Sequence, residues 1–132
     1  MSAPIFTSIV VATDGSPTAA QAIAKGVELA STIGAELRLV GAYESSKDQQ
    51  RLETALSQAA DDVRKAGLDV ETYARPGDPV DVVIDTAKEL GADLIIVGNL
   101  GMKSAKRFIL APIPDKISHR AECSVLVANT TG

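Results

Sequence analysis

The chain has 132 residues, 45% of them hydrophobic, and a net charge of −4; this suits one globular core and excludes a disordered segment. Its thirteen basic residues are spread along the chain and outnumbered by seventeen acidic ones, which leaves no electrostatic footprint for DNA or RNA. No apolar run approaches the ~20 residues that cross a bilayer, and the single cysteine, Cys123, excludes an internal disulfide and a thiolate-built zinc site.

The N-terminal MSAPIFTS has neither a basic region nor a hydrophobic stretch of signal-peptide length, so a cytoplasmic protein is expected. The first strand is the continuously apolar run at Ile9 to Ala12. Apolar residues without alternation are what a parallel sheet covered on both faces requires. Asp14, Gly15, Ser16 and Pro17 follow, with Ser16 placed as an N-cap and Pro17 as the first helical residue. Ala20, Ile23, Ala24, Val27 and Ala30 recur at three and four and give the first helix one apolar stripe. Gly34 then stops that helix before the strand ELRLV.

Residues 43–50, YESSKDQQ, form the only polar stretch long enough for a mobile loop. Beyond it, Leu52, Ala55, Leu56, Ala59, Val63 and Ala66 give a second stripe, closed by Gly67 before a strand ending near Tyr73, Ala74 and Arg75. The third helix runs from about Pro79 to Leu90, with Val80, Val83, Ile84 and Ala87 facing in and Pro79 in the first turn. Gly91 stops it, and Leu94 to Val97 is the fourth strand. The three segments at Ile33, Ala66 and Leu90 thus share one grammar of helix, glycine, acidic residue and strand. PDKISHRAE supplies a last helix and Ser124 to Asn129, SVLVAN, a last strand. Five strands and four helices fit an open α/β sandwich, with no linker and no second domain within residues 1–132.

Ligands of such sheets sit beyond the carboxyl ends of the strands, where strand order reverses. Two clusters occupy strand ends here. Asp14 stands beside a helix N-terminus, where it either accepts a hydrogen bond from a ribose hydroxyl or base amino group or caps the turn. Gly98, Asn99, Leu100 and Gly101 follow the fourth strand, the glycines permitting close backbone approach to a ligand. Lys103, Lys106 and Arg107 come next and either screen phosphate charge or form a solvated basic face.

From Phe6 to Ala128 the chain resembles a universal stress protein domain, carried by VVATDGS, GADLIIVGNLG and HRAECSVLVANT in order and spacing. The resemblance implies an open five-stranded parallel sheet of order 3-2-1-4-5 with helices on both faces, so that Asp14 and Gly98 line one crevice. It implies a stress-response binding module with an adenine-nucleotide site at Ala12, Asp14, Val97, Gly98, Gly101, Ala111, Pro112 and Ile113. The family signature is Gly-x2-Gly-x9-Gly-Ser/Thr, whereas nine residues after Gly101 this chain has Ala111 and Pro112. Pro112 has neither an N–H nor a hydroxyl. Each hydrogen bond lost to a charged phosphate costs roughly 1.5–3 kcal/mol, so one or two losses weaken binding about ten- to several-thousand-fold. A degenerate site follows, favouring AMP or cyclic AMP over ATP.

Other classes lack their residues. A receiver domain requires clustered carboxylates at the first strand and an Asp ending the third; a P-loop requires Gly-x4-Gly-Lys-Ser/Thr. The sole histidine, His119, is placed on the last helix, away from Asp14 and any nucleophile, which leaves a hydrolase or transferase as the weaker alternative to a non-enzymatic module. A dimeric scaffold that binds no nucleotide is the other alternative. The apolar edge strand SVLVAN carries no charge to block pairing, and the family resemblance implies a homodimer through it.

Overall fold

The structure, a computed structural model, describes residues 5–99 and 113–130. The described elements alternate along the chain: β1 (Ser8–Ala12), α1 (Pro17–Ile33), β2 (Glu36–Tyr43), α2 (Ser46–Lys65), β3 (Glu71–Pro76), α3 (Pro79–Leu90), β4 (Leu94–Gly98), α4 (Ile113–Arg120) and β5 (Ser124–Ala128). All strands pair in parallel in the order β3-β2-β1-β4-β5. β1 therefore lies at the centre, and the chain reverses its winding there.

The unbroken apolar runs of β1 and β4 are sorted by the pleat between two cores. Ile9 and Val11 join Leu37, Leu39, Leu94 and Ile96 under α1 and α2, while Val10 and Ala12 join Val40, Ile95 and Val97 under α3 and α4. Every residue of β1 and β4 is buried, which explains why no alternation shows in the sequence. Full burial of a Val, Leu or Ile side chain contributes about 1.5–3 kcal/mol, so the seven such residues among these ten positions anchor the sheet.

The helix boundaries follow local chemistry. Gly34 and Gly91 close α1 and α3 in the left-handed region, at φ 76° and 68°, where a Cβ is costly. Ser16 caps α1 through its hydroxyl at 3.2 Å from the Ala19 N–H, and Asp78 caps α3 by accepting from Val80 and Asp81. Pro17 and Pro79 occupy first-turn positions.

Residues 43–50 are not a loop. β2 runs to Tyr43 and α2 starts at Ser46, because Ser45 acts as N-cap, its Oγ accepting from the Asp48 N–H at 3.1 Å. Arg51 pairs with Asp48 one turn on, and the Gln49 amide donates to Glu53. The polarity belongs to the solvent face of two helical turns. The α1 stripe is also rotated: Ala19, Ala22, Ile23, Gly26 and Ala30 are buried, whereas Ala20 and Ala24 are exposed. On α3, Val82 and Thr86 are buried beside Val80, Val83 and Ala87, and Ile84 is half-buried.

At the amino ends of the strands, Asp93 ties β4 to β1. Its carboxylate accepts from the Thr7 N–H at 2.9 Å, the Thr7 hydroxyl at 3.0 Å and the Ser8 N–H at 2.9 Å. Burial disfavours the charge, but these donors outweigh it and hold the Asp93 carboxyl below the ordinary range.

Candidate functional site

The site forms at the opposite, carboxyl end of the sheet. As β1 ends, the Thr13 N–H donates to Val40 O at 2.9 Å and its Oγ1 accepts from the Gly15 N–H at 3.1 Å. Asp14 Oδ1 accepts from the Ser16 N–H at 2.9 Å, closing the turn onto the start of α1. Gly15 has φ +81°, and a Cβ there would lie 2.9 Å from Ala55 Cβ. The turn that carries Asp14 is therefore pressed against α2, and the glycine is required both by its backbone angle and by that approach.

Asp14 opens on a crevice of about 410 Å³ between the ends of β1 and β2 and the start of α2. Tyr43, Glu44, Asp48 and Arg51 share its wall. Three carboxylates face one guanidinium, and that guanidinium is engaged by Asp48 at 3.0 Å. Such a wall attracts hydrogen-bond donors, including hydroxyl and amino groups, and repels phosphate. Reading residues 43–50 as a loop hides the place of Asp48; the Ser45 cap followed by Asp48 is the signal that puts Asp48 and Arg51 on a helix beside Asp14.

The second strand end lies alongside. Val11 pairs with Ile96, so Ala12 and Val97 emerge next to one another. Both side chains are buried in the α3/α4 core, with Ile113 at the start of α4 packed against the same layer. Ala12, Val97 and Ile113 thus belong to the core beneath the strand ends, and none of them lines the Asp14 crevice. Gly98 is buried at the end of β4 and is likewise not part of the crevice wall. The predicted site residues Gly101, Ala111 and Pro112, together with Leu100, Lys103, Lys106 and Arg107, lie outside the described residues.

His119 is exposed on α4. Cys123 is half-buried, and burial first, with the charges of Asp93 and Glu122 adding, pushes its thiol up; its thiolate is disfavoured at neutral pH. Among the described residues no group of three or more His, Cys, Asp or Glu side chains converges to hold a metal ion, and no helix is long and apolar enough to cross a membrane.

Sheet order defines an open, doubly wound α/β protein, with a ligand-sized crevice at the carboxyl end of its central strand on the β2 side. The model of the universal stress protein family matches residues 6–129, and the chain belongs to that family. Universal stress protein Rv1636 of Mycobacterium tuberculosis is 30% identical over 144 aligned positions, covering 96% of this chain and 98% of its own. Universal stress protein YxiE of Bacillus subtilis is 29% identical, covering 93% and 99%. A universal stress protein solved in complex with cAMP superposes with a TM-score of 0.81 at 30% identity, over 96% of this chain and 98% of its own.

Proposed function

We propose that this chain is a non-catalytic adenine-nucleotide binding module of the stress response, acting in the cytoplasm, that takes AMP or cyclic AMP in preference to ATP. The observation that carries the reading is Asp14, fixed by the Ser16 N–H at the mouth of an acidic crevice and one strand removed from the Gly98 turn. An acidic wall suits the ribose hydroxyls and the adenine amino group. The solved family member at 30% identity holds cAMP, a ligand with one phosphate. At the polyphosphate end, Ala111 and Pro112 replace the Gly-Ser/Thr pair, removing an N–H and a hydroxyl that ATP would use.

Binding rather than turnover fits the separation of reactive groups, with His119 exposed on α4 and no part of the Asp14 crevice wall. Calorimetric titration with AMP, cyclic AMP and ATP tests the reading. AMP or cyclic AMP is expected to bind at least as tightly as ATP; micromolar ATP binding with much weaker AMP overturns it.

A second reading, a dimeric scaffold, draws on β5. It is the last strand of the sheet, and its Leu126 and Val127 are 38% and 46% exposed. Pairing of two such edges antiparallel about a two-fold axis is closed and self-limiting. The two readings are compatible, and a dimer that ignores all three nucleotides would leave the scaffold alone.

A further inference from the structure

β4 and β5 pair as far as Gly98 opposite Ala128, and the Asn99 N–H continues the ladder by donating to Ala128 O at 2.9 Å. In a continuing parallel ladder the next donor, the Thr130 N–H, would turn to the main-chain carbonyl of Asn99. It turns instead to the Asn99 side chain: Oδ1 accepts from the Thr130 N–H at 2.9 Å and from the Thr130 hydroxyl at 2.9 Å. Thr130 is 2% exposed, so its polar groups are satisfied where water does not reach. The Asn99 amide nitrogen also lies 3.5 Å from Asn129 Oδ1.

The side-chain carbonyl of Asn99 thus serves as the last rung of the sheet in place of its own backbone. β4 can then stop at Gly98 while the chain leaving β5 stays tied to it as far as Thr130. An acceptor one methylene from Cα is needed for this, which Asn and Asp have, whereas Gln is too long and Ala has none. Asn99 occupies the glycine turn that the sequence marks as a ligand contact, yet its amide is directed to the C-terminal residues of the chain.

We propose that Asn99 is a positioning residue, which fixes the Gly98 turn by clasping Thr130 and so makes the end of β5 part of the nucleotide site. The inference rests on the adenine-nucleotide reading above. Adenosine is the probe for the variants, because it carries no phosphate to be repelled by a new carboxylate, and AMP is titrated into the wild type alongside it. Asn99→Ala is expected to weaken adenosine binding about tenfold, the loss of hydrogen bonds that hold one turn. Asn99→Asp, which keeps the acceptor, is expected to stay within about twofold of wild type. Thr130→Val is expected to weaken binding less than Asn99→Ala and to add nothing to it in the double variant.

Thermal unfolding and amide exchange are measured on the same samples. An Asn99→Ala protein that melts earlier yet binds adenosine as the wild type does overturns the inference and leaves the function standing, as does failure of Asn99→Asp to restore affinity. A wild type that binds neither adenosine nor AMP removes the nucleotide reading. Exchange of the Asn99 amide then decides the clasp: faster exchange in Thr130→Val supports it, and an unchanged rate overturns it.

Discussion

The Asp14 carboxylate accepts the Ser16 N–H at 2.9 Å, so the residue proposed to bind ribose is also the one that closes the turn into α1. The two roles separate by substitution. Asp14→Asn keeps an acceptor for Ser16 and removes the charge; Asp14→Ala removes both. Asn is expected to hold wild-type stability while weakening AMP by about 1.5 kcal/mol or more, and Ala to lose a further ~1 kcal/mol of stability. Calorimetry and chemical denaturation on the pair check this. Equal AMP affinity in wild type and Asp14→Asn would reduce Asp14 to a turn residue.

Ala111→Gly with Pro112→Ser restores an N–H and a hydroxyl to the phosphate side. ATP affinity is expected to rise at least about tenfold, the effect of one charged hydrogen bond, with AMP changed less. No gain in a folded double variant would place the obstacle to ATP elsewhere in the crevice.

The fold was legible because its signals are local. Gly34 and Gly91 announce their helix ends, Pro17 and Pro79 their helix starts, and the runs at Ile9 and Leu94 a sheet buried on both sides. What was hidden depended on partners distant in sequence. The phase of α1 was missed by about one residue, since Ala20 and Ala24 are as apolar as the buried Ala19 and Ala22. Residues 43–50 look like a loop because seven polar side chains in a row, Glu44 to Gln50, mask a capped helix start. The grammar of glycine followed by an acidic residue marked Asp93, but not that its carboxylate bonds Thr7 and Ser8 more than eighty residues away. Ala12 and Val97 came together as expected from strand order, yet their side chains belong to the core.

At the open edge of the sheet, Ala128 O accepts from Asn99, so Ala128 turns its polar groups towards β4 and Val127 turns its own outwards. Val127→Pro therefore removes a donor from the free edge while sparing the β4 ladder. The wild type is expected to sediment as a dimer at tens of micromolar and the variant to shift towards monomer with its helical circular dichroism retained. A monomeric wild type, or a folded variant that remains fully dimeric, would move the interface away from β5.

Asp93 makes the stability of the β1–β4 pair depend on acid. Its folded-state pKa is lowered from 3.8, so its contribution is present above that value and is lost as pH falls through the lower folded-state one. Asp93→Ala is expected to cost about 1–2 kcal/mol at neutral pH, discounted for the partial exposure of the group. The gap between wild type and variant should narrow below about pH 4. Denaturation curves at pH 7 and pH 3 giving the same gap would mean that the Asp93 charge contributes nothing.

The place of β1 at the middle of the sheet has a consequence for a chain emerging from the ribosome. β1, β2 and β3 are complete once Pro76 is made, and they can pair among themselves, but one edge of β1 stays open until Leu94 to Gly98 has been synthesised. The Asp14 crevice, lined by residues 14–79, belongs to the early half, but the strand ends that carry Asp14 and Gly98 come side by side only when the late half docks on it. A small molecule held there grips both halves at once, so its binding free energy adds to the cohesion between them. Occupancy that spans both strand ends would mark molecules in which β4 has docked on β1.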